Sequence, residues 1–168
     1  NATTARELTS IYSQADASVI VDATGDLTIG DLEDSLLAAH LATYNAGGNP
    51  TYAITDPATA GFFPRMALSA GRTRDIMETD LINAVDLYVS QYGQLDVVLD
   101  RSMIQANSAI LLMDFEYSAT PVLTPTTDYP LAKTGDAENR QVIRESTYAL
   151  LNSKACAIVD NVPASLTD

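Results

Sequence analysis

At 168 residues the chain is long enough to bury a real core, about 70% of its unfolded surface, and 46% apolar against 18% charged residues is a globular balance rather than a disordered one. Nine basic against 22 acidic residues give a formal net charge of −13, which sets the surface against the phosphate neutralisation that nucleic-acid binding draws on and leaves self-association to shape and specific pairs. No apolar run approaches the roughly 20 residues needed to span a bilayer, and the single histidine and single cysteine exclude a Cys/His zinc site within one chain.

The chain begins at Asn1 rather than an initiator methionine, so we expect it to be processed or cut from something longer. Thr4-Ala5-Arg6-Glu7 has the form of a capping box, and Ala5, Leu8, Ile11 or Tyr12 and Ala15 follow at helical spacing. This spacing predicts a helix from Thr4 to about Ala17, reaching Val21 at its longest. A connector from Asp22 to Gly30 leads to a second capping box, Thr28-Ile29-Gly30-Asp31, which starts the strongest helix of the chain. Leu32, Leu36, Ala39 and Thr43 form its stripe, with Leu37, Leu41 and Tyr44 beside it, so a broad apolar face is expected. Asp31, Glu33 and Asp34 lie in its first turn, where the helix dipole favours negative charge. Gly47-Gly48 and Asn49-Pro50 end it.

Thr51–Thr55 reads as a short strand, and Asp56-Pro57 as an N-cap and first helical position of a brief helix to about Phe63. Pro64 to Asp80 carries no clear pattern, and Gly71-Arg72-Thr73-Arg74 within it looks like an exposed loop. Strict alternation then predicts a hairpin of Ala84–Gln91 and Gln94–Arg101 around Tyr92-Gly93. Val85, Leu87 and Val89 point one way, Asp86, Tyr88 and Ser90 the other, and Leu95, Val97 and Leu99 repeat the pattern. Ser108–Asp114 is a further strand, and Val122–Thr124 a weak one next to Pro121. Pro125 to Asn139 holds Pro125, Pro130 and Gly135 with little periodicity and reads as a long loop of the kind that is functional or disordered. A last hairpin of Gln141–Asn152 and Ala155–Asn161 around Ser153-Lys154 is expected, with Cys156 a buried small residue and not a reactive thiol.

Motifs that carry chemistry are few. Asp22, Asp26 and Glu33 fall at the first, fifth and twelfth positions of an EF-hand-like calcium loop, with Ile29 at the apolar eighth. The sixth position, where glycine is needed for the sharp turn, is Leu27, and the third is Thr24. The plainer reading is an acidic connector into a capped helix. His40 sits in the amphipathic helix with no partner in sequence and reads as a helix-face residue. Lys133-Thr134-Gly135 matches the Lys-Thr-Gly of penicillin-binding enzymes, but without Ser-x-x-Lys and Ser-Asp-Asn the match is chance. Nucleotide-binding glycine loops and a nucleophile elbow are absent, and the chain has no tryptophan for sugar stacking. Paired carboxylates remain open as acid and base. No cofactor is expected.

The second half resembles a family of tailed-bacteriophage major capsid proteins. The resemblance is carried by Val85-Asp86-Leu87-Tyr88, Tyr92-Gly93, Val97-Val98-Leu99-Asp100-Arg101, then Leu131-Ala132-Lys133-Thr134-Gly135-Asp136 and Arg140-Gln141 through Glu145, and by the closing Tyr148–Asn152 and Ala155–Val159. Gly47-Gly48-Asn49-Pro50 followed by a strand is similar to the same family's first half, and the match covers roughly residues 27–162. It implies the Johnson fold, an α+β or α/β arrangement with a mixed central sheet flanked by helices in an axial domain, and a peripheral domain of long strands. Carried over, residues 1–26 are an N-terminal helix and acidic connector, 27–107 and 155–162 the axial-like domain, and 108–154 the peripheral-like strands and loop. The N-terminal arm, extended loop and spine helix of full-length members are not evident, so the chain resembles the C-terminal portion of a subunit.

The implied function is structural and non-enzymatic. Copies of the subunit assemble around packaged DNA in the virion, after assembly in the host cytoplasm, with other virion proteins as a further partner class and with neither sequence-specific nucleic acid nor membrane as partners. Lys133, Asp136 and Arg140 are the expected intersubunit contacts. Two rivals stand beside this reading: a virion-surface or calcium-dependent binding module, and a small hydrolase with paired carboxylates.

Overall fold

The computed structural model describes residues 10–69, 87–103, 108–132, 135, 136 and 138–167. Its centre is a mixed sheet of six strands in the order β1-β10-β5-β2-β4-β3. These are β1 (Ile20–Asp22), β2 (Tyr52–Thr55), β3 (Leu87–Val89), β4 (Gln94–Leu99), β5 (Ser108–Met113) and β10 (Cys156–Val162). β1 runs parallel to β10 and β2 parallel to β4, and the other neighbours are antiparallel.

One sheet face is closed by α2 (Ile29–Asn45) and α4 (Phe62–Ser69). The sequence of α2 specifies both of its ends. Thr28 Oγ1 accepts the Asp31 N–H while the Asp31 carboxylate accepts the Thr28 N–H, so the expected capping box is closed. At the other end the Gly48 N–H donates to the Thr43 carbonyl and the Gly47 N–H to that of Tyr44, the paired bonds of a Schellman stop. Gly47 takes φ +85°, and a Cβ on Gly48 would lie 2.9 Å from the Thr43 methyl and 3.0 Å from Ala155 Cα, so both positions require glycine. The stripe Leu32, Leu36, Ala39 and Thr43 is buried against Ala53, Leu95, Ile110, Leu112, Ala157 and Val159. The buried face is narrower than the sequence suggested: Leu41 and Tyr44 are exposed.

The other sheet face is covered unevenly. Met113, Cys156 and Ile158 are packed beneath Ile11 and Ala15, from α1 (Ile11–Gln14) and its cap, and beneath Tyr148 and Leu150. Toward β4 and β3 the same face leaves Leu87, Val89 and Val98 exposed.

Several expectations are corrected. The first helix does not reach Val21: its described part ends at Gln14, a 3-10 turn spans Ala17–Val19, and Ile20–Asp22 joins the sheet beside β10. The β-branched Val19, Ile20 and Val21 suit a strand better than a helix. Residues 1–9, and with them the Thr4 capping box, lie outside the described residues, as do Gly71-Arg72-Thr73-Arg74, Ala84, Val85 and Asp86. Asp56 and Pro57 start α3 (Pro57–Ala60) as expected, but the chain then breaks at Gly61 and α4 carries on to Ser69. Pro64 is tolerated there because it stands in the first turn, where the N–H has no helical partner.

In the β3–β4 hairpin the alternation is as expected, and the buried face of β3 is the one that carries Tyr88. Tyr88 is 3% exposed, whereas Leu87 and Val89 are 40% and 50% exposed. Tyr88 pairs with Leu95, sets its ring 5.8 Å from Phe63 and donates its hydroxyl to Glu33 on α2. An aromatic ring with a polar tip can bury and still satisfy its oxygen. The last hairpin does not exist. Arg140–Ser146 pairs with Val122–Pro130, Ala149–Leu150 with Ser118–Ala119, and only Cys156–Val162 enters the central sheet, between β1 and β5. Ser108–Met113 in turn lies inside the six-stranded sheet and not among the outlying strands.

Candidate functional site

The feature that stands out from this core is a ribbon. β7 (Val122–Pro130) and β8 (Arg140–Ser146) form a two-stranded antiparallel sheet of their own, and β6 (Ser118–Ala119) and β9 (Ala149–Leu150) a short one at its base. The expected long loop from Pro125 to Asn139 is therefore half strand. Nine residues of β7 extend over about 30 Å. Prolines fit because each strand of a ribbon has a free edge: Pro125 sits where the register shifts between Thr124 and Thr127, and Pro130 at the strand's end. The remaining loop is closed by the Leu131 N–H on the Asn139 carbonyl, 2.9 Å, and turns at Gly135 with φ +87°.

No residue of β7 or β8 is buried. Leu123 is 72% and Val142 67% exposed, with Val122, Tyr129 and Leu131 also open. A hairpin on its own is marginal in water, and this one presents a row of large apolar groups. Of the expected intersubunit residues, Arg140 Nη1 is 3.2 Å from Asp128 Oδ2 across the ribbon, a diagonal cross-strand pair given that Arg140 stands opposite Pro130. Asp136 is exposed at the loop, and Lys133 lies outside the described residues. Sequence reading missed Leu123 and Val142. Each stood in an expected strand, Val122–Thr124 and Gln141–Asn152, whose pairing with each other the sequence does not show.

The three residues of the calcium-loop spacing serve separate purposes. The Asp22 carboxylate accepts the Thr24 hydroxyl and N–H and the Asn161 amide; those bonds hold its pKa below the ordinary value, the Thr24 hydroxyl most of all. Asp26 is pushed up by burial and by the carboxylates of Asp31, Asp22 and Asp34, against a bond from Ser35. Glu33, about one turn into α2, accepts the Tyr88 hydroxyl at 2.9 Å. Among the described residues no three His, Cys, Asp or Glu side chains converge as a cation site.

Cys156 is buried in the sheet and its thiol is pushed up to about 12 by that burial, so it packs as an apolar group. The hollow lined by Asn49, Thr51, Tyr52, Asp114, Phe115 and Glu116 contains two carboxyl groups. Asp114 is committed to structure, accepting the N–H of Asn49 and of Glu116 at 3.0 Å each. His40 is not on the helix surface: it is 1% exposed, beneath the β3–β4 turn.

This architecture is the capsid-shell fold. The chain superposes with TM-score 0.58 and 13% identity on an encapsulin of Synechococcus elongatus PCC 7942, known from the cryo-EM structure of the holo-SrpI encapsulin complex, covering 95% of this chain and 58% of that one. A structure from Mycobacterium phage Ogopogo is similar at TM-score 0.47 and 15% identity, over 94% of this chain and 57% of the other. The chain thus spans less than two thirds of the length of either. No curated protein matches it in sequence. The SU10 major capsid protein family matches residues 1–163, and the chain belongs to that family. No described helix is long and apolar enough to cross a membrane.

Proposed function

We propose that the chain is a non-enzymatic structural part of a viral shell subunit that assembles with copies of itself in the virion. The observation that carries this reading is the match to a major capsid protein family across residues 1–163. On this reading the axial-like domain is the six-stranded sheet with α2 and α4, and it takes in Ser108–Met113. The peripheral-like part begins at about Asp114 and ends near Lys154. The β7–β8 ribbon lies on a neighbouring copy, which covers Leu123 and Val142, and Lys133, Asp136 and Arg140 make contact with that neighbour. Closed assembly of identical subunits needs two different complementary surfaces on each, and an outlying ribbon and a sheet body supply unlike ones. The net charge of −13 keeps the subunit from adhering to the DNA it surrounds. Assembly takes place in the host cytoplasm, with other virion proteins joining the shell.

The test is assembly of the full-length protein, followed by negative-stain microscopy and mass photometry. Wild type is expected to form closed particles. The double variant Leu123→Ser/Val142→Ser is expected to keep the wild-type circular dichroism spectrum and to remain as small species. A wild type that stays monomeric under all assembly conditions overturns the shell reading. Normal particles from the double variant remove the ribbon from the interface.

A further inference from the structure

The β3–β4 turn hangs on one hydroxyl. Ser90 Oγ accepts the backbone N–H groups of Tyr92 and Gly93, each at 3.2 Å. It also lies 3.0 Å from the Gly93 carbonyl oxygen and 3.1 Å from His40 Nδ1. A hydroxyl carries one proton and two lone pairs. The two amides occupy the lone pairs of Oγ, so Nδ1 can meet this oxygen only as an acceptor, which makes His40 the neutral tautomer with its hydrogen on Nε2. The single Ser90 proton stands between Nδ1 at 3.1 Å and the second lone pair of the Gly93 carbonyl at 3.0 Å, whose first accepts the Ser90 N–H at 2.9 Å. Nε2 is buried with no hydrogen-bond partner among the described residues. The ring meets Tyr92 edge-on at 5.6 Å, and Tyr92 stacks on Tyr44 at 6.5 Å.

A further proton on this ring changes Nδ1 from acceptor to donor, and the oxygen it faces has no free lone pair. We propose that His40 and Ser90 form an acid-sensitive latch: a proton taken from solvent at Nδ1 turns the Ser90 hydroxyl onto the Gly93 carbonyl, displaces one turn amide, and loosens the β3–β4 turn from α2. Among the described residues the ionisable group set against the ring is the Tyr92 phenol on the turn, with Tyr44 of α2 stacked on Tyr92. Asn49 Oδ1, which with the His40 ring surrounds the point where a Cβ on Gly93 would stand, is uncharged. Burial is what holds the imidazole below its ordinary 6.5. A group depressed in this way binds its proton more tightly once the turn has opened. The latch is complete above about pH 6.5, the free value, and weakens as pH falls from there toward the folded value.

Hydrogen–deuterium exchange of the full-length protein reads this directly, with intrinsic rates corrected between about pH 7.5 and about pH 5, values that bracket the imidazole range. Exchange at the histidine ring carbon reports the midpoint of His40 unambiguously, since the chain holds one histidine. Protection of the peptide spanning 88–94 is expected to fall by about tenfold more than that of β10, the scale of one hydrogen bond, at the His40 midpoint. His40→Gln is expected to abolish that step. Ser90→Ala keeps the ring and is expected to leave the turn open at both pH values with no step, which preserves the test should the histidine variant not fold. Flat protection in wild type overturns the latch, and so does a step that persists in either variant, which assigns the acid response to groups other than His40 and Ser90.

Discussion

β8 and β10 are both seven-residue strands, and they sit at opposite extremes of the molecule. β10 opens with Cys156-Ala157-Ile158-Val159, apolar without interruption. It has a partner on each side and both faces covered, so all four residues are buried. β8 reads Arg140-Gln141-Val142-Ile143-Arg144-Glu145-Ser146, has one partner, and buries nothing. A continuous apolar run is what a strand buried on both faces requires, and a charged, alternating one suits an edge. The difference separates a body that buries most of its large apolar groups within its own chain from an arm that leaves its apolar groups exposed.

The comparison breaks most sharply under truncation. Leu112→Ala opens a cavity beneath α2 in a position that is 0% exposed and is expected to cost about 2–5 kcal/mol in chemical denaturation. Val142→Ser on the ribbon is expected to change the same midpoint by less than about 0.5 kcal/mol, while impairing particle formation. If the two substitutions destabilise the unassembled protein equally, the ribbon is packed within its own chain and the contrast between body and arm is gone.

The body was legible in the sequence because local signals agreed there. Thr28 and Asp31, the Leu32–Thr43 stripe, Gly47-Gly48 and Asp56-Pro57 each specify their structure through neighbours a few residues away. Pairing partners were not legible. Nothing in Gln141–Asn152 says that it meets Val122–Pro130 rather than Ala155–Asn161, since alternation fixes a strand's faces and not its neighbour. Alternation left open which face of β3 is buried, and the contact that decides it is Tyr88 with Glu33, 55 residues apart in sequence. The chain's end was silent too. Leu166 is 6% exposed in the core, and Thr167 exchanges backbone bonds with Leu27 and Ile29 at the start of α2.

That start of α2 gives the intermediate effect. Thr28→Ala removes an acceptor for the Asp31 N–H and is expected to cost about 1 kcal/mol. The carboxyl of Asp31 is held below its ordinary value by the Thr28 hydroxyl and by the Thr28 and Leu27 amides. Its contribution is thus present above the unfolded value and is lost as pH falls through the folded one. A wild-type advantage over Thr28→Ala that narrows in acid denaturation scans is the expected result, and an advantage constant with pH would place the effect in the hydroxyl alone.

The smallest effect sharpens the arm. Arg140 and Asp128 are paired at 3.2 Å with side chains 60% and 44% exposed, and an ion pair so placed contributes at most about 0.5 kcal/mol, less in salt. Arg140→Ala should therefore leave the denaturation midpoint of the unassembled protein nearly unchanged. The pair bridges the two strands at the loop end of the ribbon, close to Asp136 in sequence. Particle yield is expected to fall in Arg140→Ala and to stay low in the charge swap Arg140→Asp/Asp128→Arg, which rebuilds the pair but moves the positive charge. Recovery in the swap means that Arg140 acts within its own chain. Failure of the swap to recover, with stability intact, means that the positive charge itself is read by a neighbour.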